Sequence, residues 1–116
     1  MEKQFFADRQ LAEIATEKLK IFAQPQRLMI LSALLESEKS VGQIEDVTGI
    51  GQPVLSQQLA VLRRADMVRT RREARHIYYD LADEHMRLCI SCMQAMLTGA
   101  SDPVAAIGDA VESLAA

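Results

Sequence analysis

Tryptophan is absent from this 116-residue chain, and only three phenylalanines and two tyrosines supply aromatic rings. The six methionines outnumber them, so the core is expected to be aliphatic. No apolar run approaches the roughly 18 residues that a membrane span needs. The opening MEKQFFADRQ lacks an apolar stretch of signal-peptide type. Two cysteines three residues apart cannot staple a secreted scaffold. These absences point to a soluble, cytoplasmic protein with no membrane partner. What is present, 49% hydrophobic and 25% charged residues, suits a globular chain. Its length suits one domain, 1–116.

The net charge of −3 argues against nucleic acid until its distribution is read. Arg63, Arg64, Arg69, Arg71, Arg72 and Arg75 fall within thirteen residues and face only Asp66 and Glu73, a local +4. The rest of the chain then holds −7. One anion-binding edge on an acidic body fits this pattern, and arginine is the better planar donor to phosphate. A solvated charge run would look the same in composition.

Periodicity predicts the elements. Asp8 to Phe22 reads as an amphipathic helix, with Leu11, Ile14, Ala15, Leu19 and Phe22 inward. Pro25 suits the first turn of a second helix bearing Leu28, Ile30, Leu31, Leu34 and Leu35. Ser40 and Gln43 have capping-box spacing ahead of a short third helix, with Val41, Ile44 and Val47 inward and Gly49 as its stop. A fourth helix is expected over Gln52 to Ala65, with Leu55, Leu59 and Leu62 on its core face. The period then changes. Met67–Arg72 and His76–Leu81 read as strands of a hairpin joined by Glu73-Ala74-Arg75. A fifth helix starts after Asp83, its N-cap, and runs to about Thr98, and Ser101-Asp102-Pro103 can start a sixth, with Val104, Ile107, Val111 and Leu114 inward, within the last stretch, 99–116.

The resulting class is mainly α with a small β-hairpin: a winged helix-turn-helix of five to six helices. The fourth helix would offer Gln52, Val54, Ser56 and Gln57 to base edges, since a recognition helix reads DNA from its N-terminal end and glutamine can pair with adenine through two hydrogen bonds. Arg63, Arg64 and the wing residues Arg71, Arg72 and Arg75 would reach phosphates or the minor groove.

The runs IGQPVLSQQLAVLRRA (50–65), MVRTRREARHIYYDL (67–81) and AQPQRLMIL (23–31) resemble the ArsR/SmtB family of bacterial repressors, over about residues 10–98. That resemblance implies a homodimer joined through its first and fifth helices. It implies binding to an imperfect palindrome of double-stranded operator DNA, and release by an inducer. Gly51 stands where many members have serine, and Ala74 where glycine is frequent in the wing turn. The family's zinc pattern on the fifth helix is matched by Asp83 and His85, but its other positions hold Met96 and Gly99, and glycine cannot ligate. No Cys-x-Cys metalloid motif exists at the recognition helix. The runs most resemble the branch that senses oxidants and reactive sulfur through two cysteines; their positions here hold Ser32 and Thr98.

What remains as a candidate sensor is His85, Cys89 and Cys92, which with Met96 form one helical stripe. It reads either as dimer-seam packing or as a soft metal or metalloid ion site with reactive thiols. No other cofactor is expected. Three rivals stay open: a repressor of this fold without a chemical sensor, a winged helix that binds protein only, and a redox enzyme suggested only by Cys-x-x-Cys. That enzyme is disfavoured, because the motif lies mid-helix with no βαβ pattern around it.

Overall fold

In the computed structural model, residues 3–99 are described, and beyond them only Gly108 and Glu112. The sixth helix expected from Ser101 onward lies outside the described residues.

Each helix begins where a side chain satisfies an orphan backbone N–H. After a single 3-10 turn at Phe5–Ala7, the Asp8 carboxylate accepts from the Leu11 amide and opens α1, Arg9–Phe22. The Gln24 side chain accepts from the Arg27 amide (2.7 Å) and opens α2, Pro25–Glu36, with proline at its first turn. Two residues, Lys39–Ser40, form β1, which the sequence did not announce. The capping box of Ser40 and Gln43 then opens α3, Val41–Thr48, which stops at Gly49 with φ +73°.

The next helix, α4, is Val54–Arg64, two residues shorter at its start than the sequence predicts. Pro53 stands at its N-cap position without a side-chain cap, and the Gln52 side chain, one residue earlier, accepts from the Ser56 amide instead. Asp66, at φ +57°, reverses the chain into β2, Val68–Glu73, which pairs antiparallel with β3, His76–Leu81. The connection is the two-residue turn Ala74-Arg75 rather than three residues, because Glu73 pairs with His76. The strand β1 pairs on the far side of β3, giving a three-stranded sheet of order β1-β3-β2. Asp83 caps α5, Glu84–Leu97, through the Met86 amide.

The central helix is α2: Ile30, Leu31 and Leu34 are fully buried, and Ile44, Leu55, Leu62 and Ile90 converge on them. Among the described residues Phe22 is the single buried aromatic side chain of this core, with Tyr79 packed against it. Burial corrects three expectations. Val47 on α3 is 59% exposed. Ile14 and Leu19 on α1 are 51% and 54% exposed, because α1 meets the body chiefly through its C-terminal end, where Phe22 is buried beside α2. No described helix is long and apolar enough to cross a membrane.

Candidate nucleic-acid interface

The buried leucines of α4 fix which side chains it presents outward. Ser56, Gln57, Arg63 and Arg64 are exposed and Val54 is half-buried. The two arginines close the last turn of α4, where positive charge suits the helix dipole. Gln52 is exposed too, but its carboxamide oxygen accepts from the Ser56 amide (3.1 Å) and from Ser56 Oγ (2.8 Å). The two-point adenine contact expected of Gln52 needs that same oxygen, so in this geometry Gln52 serves the helix start first. Gln57 is the outward-facing carboxamide of α4. Its neighbour Gln58 turns inward, where Oε1 accepts from Arg27 Nη1 (3.1 Å).

Strand register sorts the wing arginines. Residues 69, 71 and 73 share one face with their partners 80, 78 and 76, while Arg72 lies on the other face beside Ile77. Arg69 lies 3.6 Å from Asp80. Arg71 is held by Glu38 and Glu73 and lies over the Tyr78 ring, 4.6 Å from its centroid. Its guanidinium is held even more firmly protonated than usual by those two carboxylates. Among the described residues, Arg63, Arg64, Arg72 and Arg75 enter no ion pair. The basic edge read from the sequence therefore divides into cations turned outward and cations engaged within the fold.

Sequence reasoning missed Arg27, Arg87 and Glu38. Arg87 on α5 donates to the Leu35 carbonyl (2.9 Å) and to Asp80 (3.1 Å), joining α5 to the end of α2 and to the central strand. Apart from Asp80, seven residues before Arg87, their partners stand 31 to 52 residues away or are backbone carbonyls, and no spacing rule announces such pairs.

The candidate sensor residues sit on α5. His85 is exposed, and Cys89 and Cys92 are half-buried free thiols. Cys89 packs against the core of its own chain, not only along an outer stripe. That burial, with Cys92 close by, pushes its thiol pKa up, which disfavours the reactive thiolate. Among the described residues, no group of three or more His, Cys, Asp or Glu side chains could hold a metal ion. His85, Cys89 and Cys92 thus do not converge within one chain. Ser32 and Thr98, which the family resemblance places at the sulfur-sensing positions, both line one cleft of about 630 Å3 between α2 and α5. There the Ser32 hydroxyl donates to the Gln94 side chain, and Thr98 Oγ1 to the Gln94 carbonyl.

Comparison with known proteins agrees with this architecture. Residues 24–70 match the profile of bacterial regulatory proteins of the arsR family. Over 78 residues the chain is 47% identical to the biofilm growth-associated repressor of Agrobacterium fabrum, an alignment covering 67% of each protein. Among solved structures it is similar to the transcriptional repressor BigR from Xylella fastidiosa, with TM-score 0.72 and 36% identity over 81% of this chain and 93% of that one. It is also similar to a homodimeric winged helix-turn-helix DNA-binding domain from Mycobacterium bovis, with TM-score 0.69 and 27% identity over 84% and 88% of the two chains.

Proposed function

The chain belongs to the arsR family of bacterial regulatory proteins, and from that premise we propose that it represses transcription as a homodimer on an imperfect palindrome. It is a DNA-binding regulator of transcription rather than an enzyme. The observation that supports the operator reading best is α4. Its leucine face is buried, while Ser56, Gln57, Arg63 and Arg64 face outward. An outward polar face at the start of such a helix fits the major groove, and the hairpin that follows fits the adjoining backbone.

In this reading Gln57 and Ser56 contact base edges, with Val54 beside them and Gln52 holding the helix start. Arg63, Arg64, Arg72 and Arg75 meet phosphates. The exposed apolar residues Ile14 and Leu19 of α1, with Met96 and Leu97 of α5, fit a dimer face. Two-fold symmetry then sets the half-site centres about 34–36 Å apart, one helical turn. Cys89 and Cys92 serve as packing residues of α5, a role that the raised Cys89 pKa supports.

The test is fluorescence anisotropy of the reduced, metal-free protein on its own upstream duplex, repeated after adding polysulfide or a thiophilic ion. Binding with two protomers per palindrome and a steep loss with salt is expected. Gln57→Ala should lose about 1–3 kcal/mol of discrimination between matched and mismatched sites. The absence of salt-sensitive duplex binding would overturn the operator reading. Release by polysulfide or a thiophilic ion, abolished in Cys89→Ser, would overturn the packing role of the cysteines.

A further inference from the structure

We propose that Arg71 is a positioning residue and not a phosphate contact: tied to Glu38 and Glu73 across Tyr78, it sets the direction of the wing, leaving Arg72 and Arg75 as the wing's DNA-facing cations. The inference rests on the DNA-binding reading above.

Three observations meet at this point. The first is register. Ser40 on β1 and Arg71 on β2 both pair with Tyr78 on the central strand β3, so one row of residues crosses the whole sheet. Glu38 precedes β1 by one residue, and two-residue alternation puts it on the Ser40 side of that edge. Arg71 therefore lies across the tyrosine ring to reach a carboxylate beyond the central strand.

The second is geometry. Arg71 Nε and Nη2 donate to the two oxygens of Glu38 at 2.8 and 2.7 Å, and Nη1 donates to Glu73 at 2.6 Å. A two-pronged arginine–carboxylate pair fixes orientation as well as distance. Glu38 belongs to the connection between α2 and β1, so the tie joins the middle of the hairpin to the body of the domain. Otherwise β1 grips β3 through two residues only. The Asp80 contacts with Arg69 and Arg87 sit at the hairpin's base.

The third is charge. Arg71 with its two carboxylates sums to −1, and with Arg69, whose charge also acts on Glu38, to zero, so the cluster offers a nearing phosphate no net positive charge. Arg71's hydrogen bond, and then its charge, hold the Glu38 carboxyl below its usual range. The tie therefore stays ionised at any pH above the ordinary carboxylate value and opens only as pH falls through the depressed one.

The experiment is a salt titration of duplex binding with the full chain and its Arg71→Gln, Arg72→Gln, Arg75→Gln and Glu38→Gln variants. Each lost phosphate contact should flatten the slope of log K against log salt by about 0.9, hence about 1.8 for a dimer. Arg72→Gln and Arg75→Gln should show that flattening. Arg71→Gln and Glu38→Gln should keep the full slope while affinity falls about threefold to tenfold per wing, because a loosened hairpin must be ordered on binding. Both should also speed hydrogen exchange of the 69–80 amides in the free protein. The double exchange Glu38→Arg with Arg71→Glu should recover most of the lost affinity. A flattened slope in Arg71→Gln, tighter binding in Glu38→Gln, or a double exchange that stays weak would each overturn the proposal. If the unmodified protein shows no salt-sensitive duplex binding, the DNA-binding reading itself has failed.

Discussion

Replacing Arg27 by methionine keeps the aliphatic stem and removes only the guanidinium. That group joins three elements. Its Nε donates to the Ile21 carbonyl at the end of α1 (2.7 Å), and its Nη1 donates to Gln58 on α4 (3.1 Å). The Ile21 carbonyl would ordinarily accept from the amide four residues on. That residue is Pro25, which has no N–H. Arg27 therefore satisfies an acceptor that the helix itself cannot.

A hydrogen bond from a charged donor contributes about 1.5–3 kcal/mol. Water can reach this partly buried site, so the lower end applies to Ile21. The longer Gln58 bond adds about 0.5 kcal/mol. The sum predicts a loss near 2 kcal/mol for Arg27→Met and about 0.5 kcal/mol for Gln58→Leu. Because Gln58 has already lost this partner in Arg27→Met, the double variant should be about as stable as Arg27→Met alone, whereas additive losses would put it about 0.5 kcal/mol lower. Urea unfolding at one fixed protein concentration is the assay, since an assembling protein's stability depends on concentration. DNA affinity should fall with stability held saturating, because Gln58 adjoins Gln57 on the groove-facing helix. An Arg27→Met variant within about 0.5 kcal/mol of the unmodified protein, or fully additive losses, would refute the reasoning.

Other outcomes follow from the same coordinates. Ala74 holds φ +55°, where a side chain costs about 1–2 kcal/mol, so Ala74→Gly should stabilise by about 0.5–1 kcal/mol after the extra freedom of the unfolded chain is subtracted. Gly49 holds φ +73° with open space around it, so Gly49→Ala should destabilise by a similar amount; denaturation midpoints moving the same way in both variants would contradict this. Leu62 is fully buried on α4, and Leu62→Ala should cost about 3 kcal/mol in urea unfolding, where a loss below about 1 kcal/mol would deny it a core role. With its pKa raised by burial, Cys89 in a Cys92→Ser background should alkylate slowly at pH 7 and faster as pH rises toward and past its ordinary value; a rate at pH 7 equal to that in urea would refute the shift.

The sequence by itself determined the elements whose causes lie within about four residues. The Ser40 and Asp83 caps, the glycine stop at Gly49, the leucine stripe of α4 and the β-branched and aromatic content of β3 each depend on neighbours along the chain. They were therefore readable without knowing where the chain would return. The winged helix-turn-helix followed from their order, and so did the expectation that α4 faces the groove.

Tertiary structure alone decided how the exposed polar residues are shared out. Six arginines look alike in sequence, yet Arg71 is tied to a glutamate 33 residues away while Arg72, its neighbour, faces outward. Gln57 and Gln58 look alike in sequence, yet one is exposed and the other turns inward to Arg27, 31 residues away. Val47 fits a core stripe by period but stays outside, and β1 is too short to show any period. The physical reason is common to all four. Periodicity and capping report local backbone energetics, whereas the partner of a charge or an amide depends on which distant segment the fold brings within about 3 Å of it.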